Sequence, residues 1–123
     1  MDITFPILVL SKDSGDILKF ESLAEMQGYL ERIDVENNEY AAWDATGQPV
    51  SLRVQEPVWL EVVRASAKGD APDLGDSLKR FAQLRQVSLT DDEQRLRPLA
   101  LHAAIIARSA RGRKLAGIFR SKR

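Results

Sequence analysis

Three sets of residues in this chain carry chemistry. The single histidine, His102, can act as an acid or base, but histidine catalysis needs an orienting or nucleophilic partner and no acid follows residue 93. It reads as a structural or solvated side chain. One histidine with no cysteine also argues against a zinc site and against thiolate chemistry. Ser14-Gly15 lacks the strand-to-helix context that exposes a nucleophilic serine, so it reads as a turn. With no constellation of nucleophile, base and orienter, the expectation is a protein that is not an enzyme and needs no cofactor.

The second set is acidic: Glu31, Asp34, Glu36, Glu39 and Asp44. Carboxylates can ligate hard cations through oxygen, but this spacing fits no EF-hand loop. The reading is a solvated acidic face, able to dock a basic protein partner through complementary potential. The third set is basic: Arg108, Arg111, Arg113 and Lys114, then Arg120, Lys122 and Arg123. Such a tail can neutralise phosphates, which makes a nucleic-acid-associated protein the alternative. Only Phe119 is on hand for base stacking, and the basic residues spread around the helix instead of forming one face for a membrane surface.

These sets divide the chain by charge. Residues 1–61 hold twelve acids against four bases, residues 62–93 six against five, and residues 94–123 nine bases and no acid, so the zero net charge conceals a strong asymmetry. Either a charged partner or pairing between the two halves accounts for it. At 123 residues and 44% hydrophobic content the chain suits one folded domain, with a strand-rich half over residues 1–66 and a helical half over 67–123. No apolar run is long enough to span a membrane, and the first residues show no basic n-region or small-residue cleavage site. The expectation is a cytoplasmic protein.

The clearest element is a hairpin over residues 39–55. Val50, Leu52 and Val54 alternate with Ser51, Arg53 and Gln55, and Asp44-Ala45-Thr46-Gly47 supplies a type I turn closed by a glycine at positive φ. Trp43 and Trp59 read as core. Ile3 to Leu10 is rich in strand formers and, because Pro6 donates no ladder bond, is expected at a sheet edge. Lys12 to Asp16 is a turn into a second strand, Ile17 to Phe20. Ser22 and Glu25 make a capping box opening one helix, whose apolar face is Leu23, Met26, Leu30 and Ile33 with Tyr29 beside it and Gly28 at a close-packing point.

Val58 to Arg64 can be a short helix or, from its branched residues, more naturally a strand. Residues 65–75 read as a loop, Asp76 as the N-cap of a second helix carrying Leu78, Phe81, Ala82 and Leu84, and Thr90 to Glu93 as another capping box. Pro98 kinks or breaks the helix that follows. Leu99, Ala103, Ile106 and Ala110 then form a narrow stripe that allows close helix packing and makes a homodimer through the C-terminal helices possible.

The stretch YLERIDVENNEYAAWDATG, Tyr29 to Gly47, resembles a loose group of small bacterial proteins that open with a hairpin, then a helix ending in a YLE-like signature, then a DVENxEY segment leading into an acid-glycine turn. Some proteins of this look accompany toxin systems as immunity proteins. The resemblance spans residues 3–65 and implies a binding role without catalysis; residues 88–123 fall outside it. Together these readings predict an α+β fold, with an antiparallel sheet of four or five strands, one inserted helix and two or three C-terminal helices.

Overall fold

The computed structural model describes residues 3–56, 59–65 and 72–116, with the side chains of 110–116 excepted. It is an α+β fold with one five-stranded antiparallel sheet in the order β2-β1-β3-β4-β5. The strands are β1 (Ile7–Ser11), β2 (Ile17–Phe20), β3 (Tyr40–Trp43), β4 (Pro49–Val54) and β5 (Leu60–Arg64). Between β2 and β3 the chain passes over β1 through α1 (Leu23–Tyr29) and α2 (Arg32–Glu36), and α3 (Leu74–Leu84), α4 (Asp91–Gln94) and α5 (Pro98–Ala116) follow β5.

β1 is an interior strand, not an edge. It pairs with β2 on one side and β3 on the other, and Ile7 to Leu10 are all buried. Helices on both sheet faces cover its two rows of apolar side chains, and Pro6 stands one residue before the ladder and removes none of its bonds. The alternation of β1 then sorts two cores. Leu8 and Leu10 join Ile17, Ala41 and Trp43 under Leu74, Leu78, Phe81 and Ala82 of α3 and Leu101 and Ile105 of α5. Ile7 and Val9 join Phe20, Val50 and Leu60 under Met26 of α1, Leu30 just after it and Val35 of α2. The sheet is a filling between two helical layers.

The β1–β2 and β3–β4 turns use glycine where φ is positive. Gly15 at +84° places its amide on Ser11 O (2.8 Å), while the Ser11 amide donates to Asp16 O (2.9 Å); Gly47 at +87° closes the turn with its amide on Asp44 O (2.9 Å). Trp43 is buried, Trp59 half-buried, and residues 60–64 form the expected strand, with 57 and 58 outside the described residues.

The helical expectations need four corrections. The single helix after Ser22 is two, because Leu30 is extended (φ −77°, ψ 149°) and turns the chain between them. Gly28 has nothing within 4 Å of the place a Cβ would take, so it is no close-packing point. Asp73, not Asp76, caps α3, its side chain accepting the Asp76 amide at 2.9 Å. Finally, α5 buries Leu101, His102, Ile105 and Ser109, with Leu99 and Ile106 only packed against that core and Ala103 exposed. The buried face is rotated from the expected stripe, with Leu101 and Ile105 packed into the core that α3 shares with the sheet. Pro98 breaks the helix: α4 is a four-residue turn closed by the Thr90–Glu93 capping box, and α5 starts at Pro98 itself, where a missing amide costs nothing.

Candidate functional site

The five acids expected to share one face do not. Asp44 is 2% exposed and lies across the length of β3 from the others. Its Oδ1 accepts the Thr46 hydroxyl (2.6 Å) and the amides of Thr46 (3.0 Å) and Gln48 (3.2 Å), and its Oδ2 pairs with Arg64 Nη1 (3.2 Å). Burial pushes its carboxyl up, yet the combined hydrogen bonds from Thr46 and Gln48 outweigh burial and hold it below the usual aspartate value. Asp44 is the keystone of the β3–β4 turn, not a docking residue. An Asp opening a turn faces the amides two and four residues on, here those of Thr46 and Gln48.

Glu31, Asp34, Glu36 and Glu39 do stay together on α2 and the turn after it. Glu31 is exposed at the N-cap of α2 and its side chain makes no cap bond. Asp34 is half-buried and accepts the Tyr40 hydroxyl at 3.3 Å; burial first, and then the Asp34 charge, raise the Tyr40 phenol above its ordinary value. Glu36 faces Arg32 at 3.6 Å, and Arg32 reaches Glu56 at 2.8 Å. Glu39 is half-buried, its amide on Asp34 O and its carbonyl accepting the Lys12 amide, both at 2.9 Å. Glu21 and Glu25, at the start of α1, extend the same acidic stretch and are exposed. Among the described residues no acidic or histidine cluster suits a metal ion.

Two apolar residues stand out on this acidic segment. Tyr29 is 64% and Ile33 59% exposed, although helical spacing expects Ile33 inside. The break at Leu30 is the cause: it rotates α2 so that Val35 reaches the core and Ile33 faces out. Gly28, in the last turn of α1 and two residues before Leu30, is the one local signal near that break. Tyr29 rests against Phe20 of β2, ring centroids 5.6 Å apart and tilted by 56°. Beside it a groove runs between α1 and β2, lined by Leu18, Lys19, Phe20, Ala24, Glu25, Gly28 and Tyr29.

Of the basic set, Arg108 is the one whose side chain is described. Arg108 is half-buried and pairs with Glu93, the N3 residue of the α4 capping box. Arg111, Arg113 and Lys114 lie on the last turns of α5 with side chains outside the described set, and Arg120 lies outside the described residues. His102 is buried, its ring stacked on Phe81 at 5.4 Å and its Nε2 2.7 Å from Ile17 O, so Nε2 carries the proton and donates. Burial, with smaller contributions from Lys19 and Arg85, pushes the imidazole below its ordinary value of 6.5. It is a structural histidine.

A second pocket, about 250 Å³, opens where the β3–β4 ladder runs no further than Ala42↔Val50, between Tyr40 and Ala41 on one side and Ser51 and Leu52 on the other. Its ionisable lining groups are Lys12, which donates to Asn38 O at 3.1 Å, and Tyr40, which donates to Asp34. Both are already engaged. No helix among the described residues is long and apolar enough to cross a membrane. Comparison with family models, with curated proteins and with solved structures finds no match for this chain.

Proposed function

We propose that this chain is a non-enzymatic binding protein of the immunity or inhibitor type, acting in the cytoplasm, that presents the α1–α2 surface to a basic protein partner. One observation carries the reading: Tyr29 and Ile33 are left largely exposed in a segment that holds Glu21, Glu25, Glu31, Asp34, Glu36 and Glu39 against Arg32 within it and Lys19 beside it, which pairs with Glu21 at 3.3 Å. An aromatic anchor with an acidic rim is the anatomy of a protein interface. The apolar centre supplies affinity once water is excluded, and the rim supplies attraction and register. Asp44 takes no part, being consumed by its turn.

The test starts with affinity capture of a partner from nuclease-treated lysate and continues with calorimetric titration of the purified pair. Glu31→Lys with Glu36→Lys should weaken binding by about 2 kcal/mol or more, and Tyr29→Ala by a similar amount. Unchanged affinity in all of these variants places the binding surface elsewhere and removes the reading.

A further inference from the structure

β2 is an edge strand, and the ladder fixes which of its backbone groups face outward. Ser11 bonds to Asp16, and antiparallel pairs alternate between bonded and non-bonded. Val9↔Leu18 and Ile7↔Phe20 are therefore the bonded pairs, while Leu10↔Ile17 and Leu8↔Lys19 are not. The Lys12 amide, donating to Glu39 O, agrees with this parity, since the alternate residues of that strand serve β3. Ile17 and Lys19 thus turn their amides and carbonyls away from the sheet.

Neighbouring side chains close this edge at both ends. His102 Nε2 donates to the Ile17 carbonyl at 2.7 Å, and two residues beyond Lys19 the Glu21 amide donates to Glu25 Oε1 at 2.6 Å. Between these plugs the outward amide and carbonyl of Lys19 meet no partner among the described residues. Leu18 and Phe20 share a sheet face with α1, so the groove over Ala24, Gly28 and Tyr29 opens directly beside the unpaired groups. Nothing lies within 4 Å of a Cβ built on Gly28.

We propose that this gap is a strand-addition site for a short, extended, basic segment of a partner protein. One uncharged partner residue exchanges backbone hydrogen bonds with Lys19, and its two neighbours place apolar side chains in the groove against Tyr29 and Phe20. Flanking cations meet Glu25 and Glu31. Charge selects the occupant. A second copy of this chain, pairing edge to edge, would set Lys19 near its own image and one acidic rim against the other. The proposal rests on the reading of α1 and α2 as the binding surface and adds to it the backbone register and the groove.

The test uses the full chain, isotopically labelled, titrated with a blocked peptide reading Lys-Lys-Val-Thr-Val-Lys-Lys and followed by amide shifts and by hydrogen exchange. Binding in the range of about 1 mM or tighter, with new protection of the Lys19 amide, is expected. Gly28→Leu, whose Cβ meets nothing within 4 Å and whose side chain occupies the groove, and Lys19→Pro, which deletes the outward amide, should each weaken it at least about tenfold, with Lys19→Ala as the control for the lost Lys19–Glu21 pair. A peptide with glutamates for lysines should not bind. Wild-type affinity in both variants overturns the strand-addition site; if Glu31→Lys still abolishes that binding, the acidic surface stands as the interface without the groove. No binding at millimolar peptide, or a chain that dimerises through Lys19, overturns the site as well.

Discussion

The two helical layers cover the sheet in different ways. On one face α3 and α5, of 11 and 19 residues, lay Leu74, Leu78, Phe81, Leu101 and Ile105 over Leu8, Leu10 and Trp43, with Leu84 at the end of α3 left 54% exposed. On the other, α1 and α2 have 7 and 5 residues, commit Met26, Leu30 and Val35 to the core, and leave Tyr29 and Ile33 outside. A long helix keeps one face inward for several turns. A broken one changes the face it presents at the break. The first layer stabilises the fold and the second displays side chains, and stability and binding should respond to substitution in opposite proportions on the two.

The largest stability loss belongs to the closed layer. Phe81 is 1% exposed, packs under the sheet, stacks on His102 and lies 5.5 Å from the Arg85 guanidinium. Phe81→Ala removes most of that contact and leaves a cavity, so urea denaturation should show a loss of about 3–5 kcal/mol. A loss under about 1 kcal/mol would mean that α3 and α5 are not packed on the sheet as described.

Asp44 separates the structural acid from the displayed ones. Asp44→Ala removes the acceptor of two backbone amides and a hydroxyl and strips Arg64 of this partner, which should cost about 3 kcal/mol. Glu36→Ala, on an exposed pair 3.6 Å from Arg32, should cost under about 0.5 kcal/mol in the same assay. Equal effects would erase the distinction on which the choice of binding surface depends.

These contrasts follow how much of the fold was legible beforehand. The β3–β4 hairpin was readable because Asp44, Gly47 and the alternation after Val50 all act locally, and the Thr90 capping box for the same reason. The centrality of β1 was in the sequence as the unbroken run Ile7 to Leu10, but Pro6 drew attention to an edge. What could not be read was set by tertiary contacts. The break at Leu30 has only Gly28 as a weak local signal, the buried face of α5 is chosen by its packing on the sheet and α3, and the burial of Asp44 depends on Arg64, twenty residues on, as well as on its turn amides. The Lys19 gap needs both the ladder parity and the distant His102, 85 residues from Ile17.

His102 sharpens the comparison through pH, because it ties α5 to the edge of the sheet. Its imidazole titrates below 6.5 in the folded chain and near that value when unfolded. Between those two values the unfolded state binds more protons, so stability rises with pH there: the contribution is present above about pH 6.5 and is lost as pH falls through the folded value. Denaturation midpoints taken at falling pH should decline more steeply for the wild type than for His102→Gln, which keeps a donor and cannot charge. Parallel declines would assign the acid sensitivity to other groups.

The smallest expected effect on stability is the most informative one. Tyr29→Ala and Ile33→Ala remove side chains that are 64% and 59% exposed, and each should move the folding free energy by less than about 0.5 kcal/mol, Tyr29 losing only its tilted contact with Phe20. Large apolar groups that contribute so little to folding are held in place by the backbone break at Leu30, and their exposure is a cost in solubility with no return inside the chain. If either variant instead loses about 2 kcal/mol, that side chain is part of the core, the α1–α2 layer is as closed as its counterpart, and the surface argued to bind a partner is simply the outside of the fold.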